Sequence, residues 1–273
     1  MVNSKYFHCY ATANDDKFYY RDFQNLLRIK NTSSGLHTTI LYICISKVYK
    51  MSPADRIFTF IITRLFSKHP RIILREIIFK SNEGRDFSSF SKMKDLVIQE
   101  ASLDDYVFFQ NRSGYGPFRQ NWLKEIIIQF EKFEKTAICG STINFRDHPS
   151  RSNKNNLPHI QTYAFLTSVS YLQKLGIGFP GAEHISRFKI ITEGEIGLSQ
   201  FFLNKGYGIT CMEWPEEFIC NKSKPLNSID IKDNVQQKHQ FYHRSYFEKY
   251  ENIKGKKMRK LDLIFCLIRN VFQ

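Results

Sequence analysis

Two short polar stretches carry residue types that could hold a phosphorylated ligand. The first is Asn82-Glu83-Gly84-Arg85-Asp86. Gly84 permits a tight turn, Arg85 offers a planar fork of N–H donors, and the Asp86 carboxylate offers a pair of acceptors. Such a set can hold a base, a ribose or a diphosphate. The second is Gln110-Asn111-Arg112-Ser113, followed by Gly114-Tyr115-Gly116-Pro117. Glycine allows a positive φ and proline fixes φ, so a turn must follow the polar set. Backbone N–H groups there can approach a ligand closely. Taken singly, each stretch reads equally well as a solvated turn.

The elements that lead into these loops give them a common place. Ile72–Lys80 and Tyr106–Phe109 are short apolar runs of strong β preference. Upstream, Lys5–Tyr10 and Leu36–Ser46 also read as strands, the second apolar nearly throughout, as a strand covered on both faces should be. Helical runs separate them. One follows Asn14-Asp15-Asp16 to about Leu27, one opens at Ser52-Pro53-Ala54-Asp55 and stops at His69-Pro70, and a short one covers Lys92–Glu100. This β-α-β-α-β-α-β order predicts a mainly parallel sheet with covering helices. Ligands bind beyond the carboxyl ends of such strands. Because the two loops follow successive strands, the sequence predicts those strand ends side by side, with Asp86 and Asn111 facing one phosphate-bearing ligand. Farther on come a helix at Trp122–Phe133, a strand at Ala137–Phe145, a polar, weakly patterned stretch at Arg146–Leu157, a helix from Glu193 to Lys205, and a last strand at Tyr207–Met212.

The chain has 273 residues, of which 42% are hydrophobic and 15% aromatic, enough for a full core over residues 1–220. Six scattered cysteines without a C-x-x-C pair read as reduced thiols of a cytoplasmic protein, not as a disulfide or zinc framework. The opening MVNSKYFHCY lacks a signal-peptide pattern, and no apolar run is long enough to span a membrane. A net charge of +14 attracts nucleic acid, anionic lipid or phosphorylated substrates. No nucleic-acid reader motif accompanies it, so no specific nucleic-acid partner is expected. Residues 221–273 form a basic extension. Within it Lys254, Lys256, Lys257, Arg259 and Lys260 precede the apolar run Leu261–Ile268. That pattern fits either a helix lying on an anionic membrane surface or a terminal helix docked on the domain.

The runs NEGRDFSSF, DYVFFQNRSGYGPF, STINF, PHIQTYAF and EGEIGLSQFFLNKGYGI, in this order, resemble bacterial polysaccharide glycosyltransferases. The likeness is to the rhamnan-synthesis F type and related lipopolysaccharide and capsule sugar transferases, and it spans about Leu36 to Met212. It implies the glycosyltransferase A-type fold, an α/β nucleotide-binding sandwich. It also implies transfer of a hexosyl or deoxyhexosyl group from a nucleotide-sugar donor to a lipid-linked or growing surface glycan. By the same resemblance, Asn82, Gly84, Arg85 and Asp86 line the nucleotide pocket. Asn111, Arg112, Ser113, Gly114 and Gly116 lie by the diphosphate and donor sugar, and His159 and Gln161 face the donor sugar or the acceptor. Glu195, with Glu193 close by, is the acidic group near the reaction centre.

The chain departs from that pattern where many A-type transferases place D-x-D, two carboxylates that hold Mg²⁺ or Mn²⁺. Here Arg112 stands where the family often has Asp, while Asp104 and Asp105 precede the strand. Either Arg112 neutralises the leaving diphosphate without a metal, or other residues hold the cation. The same departure leaves open a transferase-like protein that has lost catalysis and acts as a binding partner in glycan assembly. Thr162 replaces a common Ser and keeps the hydroxyl. An inverting transfer needs a general base at the acceptor hydroxyl. A carboxylate in the first turn of the Glu193–Lys205 helix is placed for it, but a helix N-terminus lowers its pKa and weakens it as a base.

Overall fold

The computed structural model describes residues 4–16, 18–153, 155–220, 239–244, 263–264 and 266–269. The strands are β1 (Tyr6–Ala13), β2 (Thr39–Lys47), β3 (Ile72–Ser81), β4 (Tyr106–Asn111), β5 (Gly114–Tyr115), β6 (Thr136–Gly140), β7 (Ile143–Arg146), β8 (Asn155–Ile160), β9 (Ala164–Ser168), β10 (Gly208–Cys211), β11 (Phe218–Ile219) and β12 (Tyr242–His243). Eight of them form one sheet in the order β11-β10-β6-β9-β4-β1-β2-β3. β1, β2, β3 and β4 run parallel, as do β6 and β10, while β9 lies antiparallel between β4 and β6. This is a mixed α/β architecture built on a large, mostly parallel sheet.

Helices α1 (Tyr20–Asn31), α2 (Pro53–Phe66), α3 (Arg85–Glu100), α4 (Trp122–Glu131) and α5 (Val169–Lys174) pack around the sheet. Three apolar clusters result. One joins Phe87, Phe90, Met93 and Val97 of α3 to Phe109 and Phe165, and one joins Leu26 and Ile29 of α1 to Phe58 and Ile62 of α2. The third joins Trp122 and Ile126 of α4 to Phe108 and Leu166. α2 starts as its sequence dictates: Pro53 occupies the first turn, and the Asp55 carboxylate accepts from the Ser52 N–H (2.6 Å) and Oγ (2.9 Å).

Three expectations are corrected. β3 and β4 are not neighbours, because β1 and β2 lie between them. α3 begins at Arg85 rather than Lys92, so Arg85 and Asp86 belong to its first turn. Ser88 and Ser89 are weak helix formers and hid that turn, but both hydroxyls bond back to the Arg85 carbonyl at 3.2 Å. The single strand expected over Ala137–Phe145 breaks after Gly140 into β6 and β7, and β7 pairs with β8. The stretch read as weakly patterned thus joins two strands, and Asp147 within it binds Arg151 and Ser152.

The basic cluster Lys254–Lys260 lies outside the described residues. Elsewhere in the same region, Phe241 is fully buried with Phe108 and Trp122, and Leu263 and Leu267 join the cluster of α1 and α2. Among the described residues no helix is long and apolar enough to cross a membrane. Leu263→Ala and Leu267→Ala should each lower the unfolding free energy by about 2–3 kcal/mol in urea denaturation. Unchanged midpoints in both variants would remove the docked arrangement.

Candidate functional site: neighbouring carboxyls at the sheet rim

Asp86 and Asn111 meet directly: Asn111 Nδ2 donates to Asp86 Oδ2 at 2.8 Å. Adjacent strands do not deliver them. α3 instead runs back over β2 and β1, with Ser89 Oγ 3.2 Å from Ser46 Oγ at the end of β2. Gly84 sets the entry to α3. Its φ is +64°, its N–H donates to the His184 carbonyl at 3.0 Å, and a Cβ there would stand 1.8 Å from the Ala182 carbonyl oxygen. Asn111 Oδ1 accepts the N–H groups of Ser113 (2.8 Å) and Gly114 (3.2 Å). The amide is therefore fixed with its donor end toward Asp86.

Glu195 lies within the electrostatic reach of Asp86. It ends a π-helical segment, Ile190–Glu195, that lies between α6 (Arg187–Lys189) and α7 (Ile196–Asn204). The helical run therefore starts before Glu193, and neither glutamate sits in a first turn. The expected lowering of the Glu195 pKa by a helix N-terminus does not apply. Burial instead pushes this carboxyl up to about 7, and the charge of Asp86 adds to the shift, while a hydrogen bond from the Thr162 N–H opposes it. The Asp86 carboxyl is also raised by burial, against the attraction of Arg112 and the Asn111 hydrogen bond. Glycine makes the approach possible: a Cβ on Gly181 would stand 2.7 Å from Gly194 Cα, and one on Gly194 would press on Phe87 at 3.2 Å. The wider π turn at this close contact suits a functional site.

The loop after β4 is clamped. Gly114 O accepts Gln110 Nε2 (2.7 Å) and Asn25 Nδ2 (3.1 Å), and Gln110 Oε1 lies 2.9 Å from His8 Nε2. His8 is buried, which pulls its pKa down to about 4 and keeps it neutral. From the other side β12 pairs with β5, and the Arg244 N–H donates to the Ser113 carbonyl at 2.7 Å. A Cβ on Gly114 would meet the Tyr163 carbonyl at 2.3 Å, and one on Gly116 the Gln240 carbonyl at 2.5 Å. Neighbouring backbone thus explains both glycines without a ligand. Arg112 reaches Asp15 Oδ1 (2.5 Å) and the Ala13 carbonyl (3.3 Å), within the electrostatic reach of Asp86.

The other expected residues lie around this centre. Asn82 and Arg85 are exposed, and the Asn82 carbonyl accepts the Arg85 N–H at 3.2 Å. His159 is buried with Nδ1 2.7 Å from the Leu157 carbonyl, and the Gln161 N–H donates to the Thr142 carbonyl at 3.2 Å. Glu193 is exposed and bonds His184 Nε2 at 2.6 Å. Glu183, His184 and Glu193 place three ligating atoms within 4.8 Å of one another, a set that could hold a metal ion. The end of β4 does not fit a divalent cation, because the Asn111 oxygen already accepts two N–H groups and Arg112 brings positive charge. The Thr162 N–H and the Arg244 clamp were missed from sequence; a backbone donor and a partner so distant along the chain leave no local signal.

Fold and site together define an α/β protein with two neighbouring carboxyl groups, Asp86 and Glu195, at the carboxyl rim of its sheet. No protein-family model matches the chain, and no curated protein matches it. Among solved structures, it is similar to the apo bifunctional glycosyltransferase WbbM, with 11% identity, a TM-score of 0.47, and coverage of 99% of this chain and 50% of that one. It therefore spans about half the length of WbbM. Mouse xyloside xylosyltransferase 1 in its apo form shows 9% identity and a TM-score of 0.41 over 75% of this chain and 82% of that one. A 4-diphosphocytidyl-2C-methyl-D-erythritol synthase shows 11% identity and a TM-score of 0.38 over 70% and 96%.

The raised Glu195 pKa has a measurable consequence. Between the ordinary value of 4.5 and about 7, the folded chain holds a proton that the unfolded chain has released. Stability should therefore fall as pH rises through that window, and level off above it. Glu195→Gln should flatten this slope in melting temperatures taken from pH 4.5 to 8. An identical slope in the variant would show that the carboxyl ionises normally.

Proposed function

We propose that the chain is an A-type glycosyltransferase, akin to the rhamnan-synthesis F type. In this reading it moves a sugar from a nucleotide-sugar donor to a lipid-linked or growing surface glycan. The observation that carries the reading is the convergence of Asp86, Asn111 and a Glu195 carboxyl with a pKa near 7 at one rim. Asp86 is placed to accept from the donor's ribose or base. Arg85 and Arg112 supply positive charge for the diphosphate, whose bond to the anomeric carbon breaks as negative charge builds on the leaving oxygen. Glu195 takes the proton of the attacking acceptor hydroxyl while the new C–O bond forms. A base with a pKa near the working pH suits that task. His159 and Gln161 belong beside the sugars, and Glu193 beside the base. The basic cluster at Lys254–Lys260 suits an anionic membrane face, and so a lipid-linked acceptor met from the cytoplasmic side.

A second reading has one observation in its favour. The end of β4 lacks paired carboxylates and its amide oxygen is engaged, as in a transferase-like protein that binds without catalysing. Donor hydrolysis or transfer by the purified chain separates the two.

Glu195→Gln should cut transfer by about 10²–10⁴-fold while leaving donor binding intact. The wild-type rate should rise with pH and level off above about 7. Asp86→Asn should weaken donor binding, read as a smaller thermal shift with UDP-, GDP-, CMP- or dTDP-sugars, with and without Mn²⁺. Full activity in both variants would refute the assignment.

A further inference from the structure

We propose that the cleft beside the π-helical segment is an acceptor subsite for a sugar phosphate ester. The inference rests on the glycosyltransferase reading and adds the chemical class of the acceptor. The cleft has a volume of about 540 Å³ and is lined by His148, Ser150, Arg187, Phe188 and Ile191. Its polar side offers donors. His148 Nδ1 accepts the Ser150 N–H at 3.1 Å, so a neutral ring carries its proton on Nε2, which is left to donate. The exposed Arg187 guanidinium has no ion pair or hydrogen bond among the described residues. The adjacent carboxylate is already spoken for. Asp147 accepts Arg151 Nε at 2.8 and 2.9 Å, Ser152 Oγ at 2.6 Å and the His148 N–H at 2.7 Å, and these bonds hold its pKa far below the usual range. A cleft with open donors and an occupied acceptor selects an oxyanion, and a guanidinium beside an imidazole suits phosphate.

The remaining wall and the position of the cleft refine that choice. Phe188 and Ile191 are apolar, and Phe188 meets the His148 ring edge-on at 5.0 Å. A bare phosphate would leave this wall and most of the volume unused, whereas a sugar ring carrying the phosphate would cover it. Arg187, Ile191 and Glu195 stand four residues apart along one helical run. Ile191 lines the cleft and belongs to the π-helical segment that ends at Glu195, so one helical run leads from the anion site to the base. It fits an acceptor whose phosphate is held at Arg187 while a hydroxyl farther along the glycan reaches Glu195.

The test uses the full chain and four probes: glucose 1-phosphate, inorganic phosphate, methyl glucoside and phosphatidylglycerol vesicles. Calorimetry should show glucose 1-phosphate binding more tightly than inorganic phosphate, and no binding of the neutral glucoside. Arg187→Gln and His148→Gln should each weaken the sugar phosphate at least tenfold, and leave the thermal shift by nucleotide-sugars unchanged. Equal binding in the Arg187 variant, or equal affinity for the glucoside or for inorganic phosphate, would overturn the proposal. So would vesicle binding through Arg187 without sugar phosphate binding, since the cleft would then be a membrane contact. Failure of this subsite is separable from failure of the activity. Donor binding that depends on Asp86, with no sugar phosphate bound, defeats only the subsite. Sugar phosphate bound through Arg187, with no nucleotide-sugar bound at all, defeats the glycosyltransferase reading.

Discussion

A carboxyl group that has lost much of its contact with water ionises less readily still in the field of a second carboxylate, as Glu195 does beside Asp86. That constraint organises the rim of this sheet. Asp86 is held by the Asn111 amide, and the Thr162 N–H favours the charged form of Glu195. Asn111 closes β4, and Thr162 stands just before β9, which lies antiparallel to β4 with Gln110 opposite Ala164. Inserting one antiparallel strand into a parallel sheet is what brings the two donors to one edge. Burial raises both acids, and the charge of Asp86 adds to the shift of Glu195.

The acids come from helices that must approach each other as closely as backbone allows. Gly84, Gly181 and Gly194 occupy the three places where a side chain would collide, with Ala182, with Gly194 and with Phe87 respectively. Lys94, buried in α3, fixes the intervening segment by donating to the carbonyls of Gly176 (2.6 Å) and Gly178 (3.2 Å). The site is thus made by packing between α3 and the π-helical run as much as by the sheet.

How much of this the sequence discloses depends on the range of the interaction. The alternation of apolar strands and helices is local, so the α/β class and the placement of Asp86 and Asn111 at the carboxyl rim are legible. The route is not: adjacency of β3 and β4 is the simplest inference from chain order, yet the sheet inserts β1 and β2, and α3 spans the gap. The start of α3 is masked by serines that prefer caps and turns. Glu195 reads as a first-turn residue of a helix from Glu193, whereas the helical run starts at Arg187 and Gly194 is there for contact with Gly181 and Phe87. The donors at His148 and Arg187 are invisible as a pair, since one lies between two strands and the other opens α6 farther along the chain.

The pairing of β12 with β5 joins residues more than a hundred positions apart, and the Arg244 N–H secures Ser113 from the far end of the chain. During synthesis the loop after β4 therefore emerges long before its clamp. A nascent chain that has reached Cys220 already carries Asp86, Asn111 and Glu195, but it lacks Phe241 to cover Phe108 and Trp122. The mouth of the rim is thus closed only by residues made more than a hundred positions later.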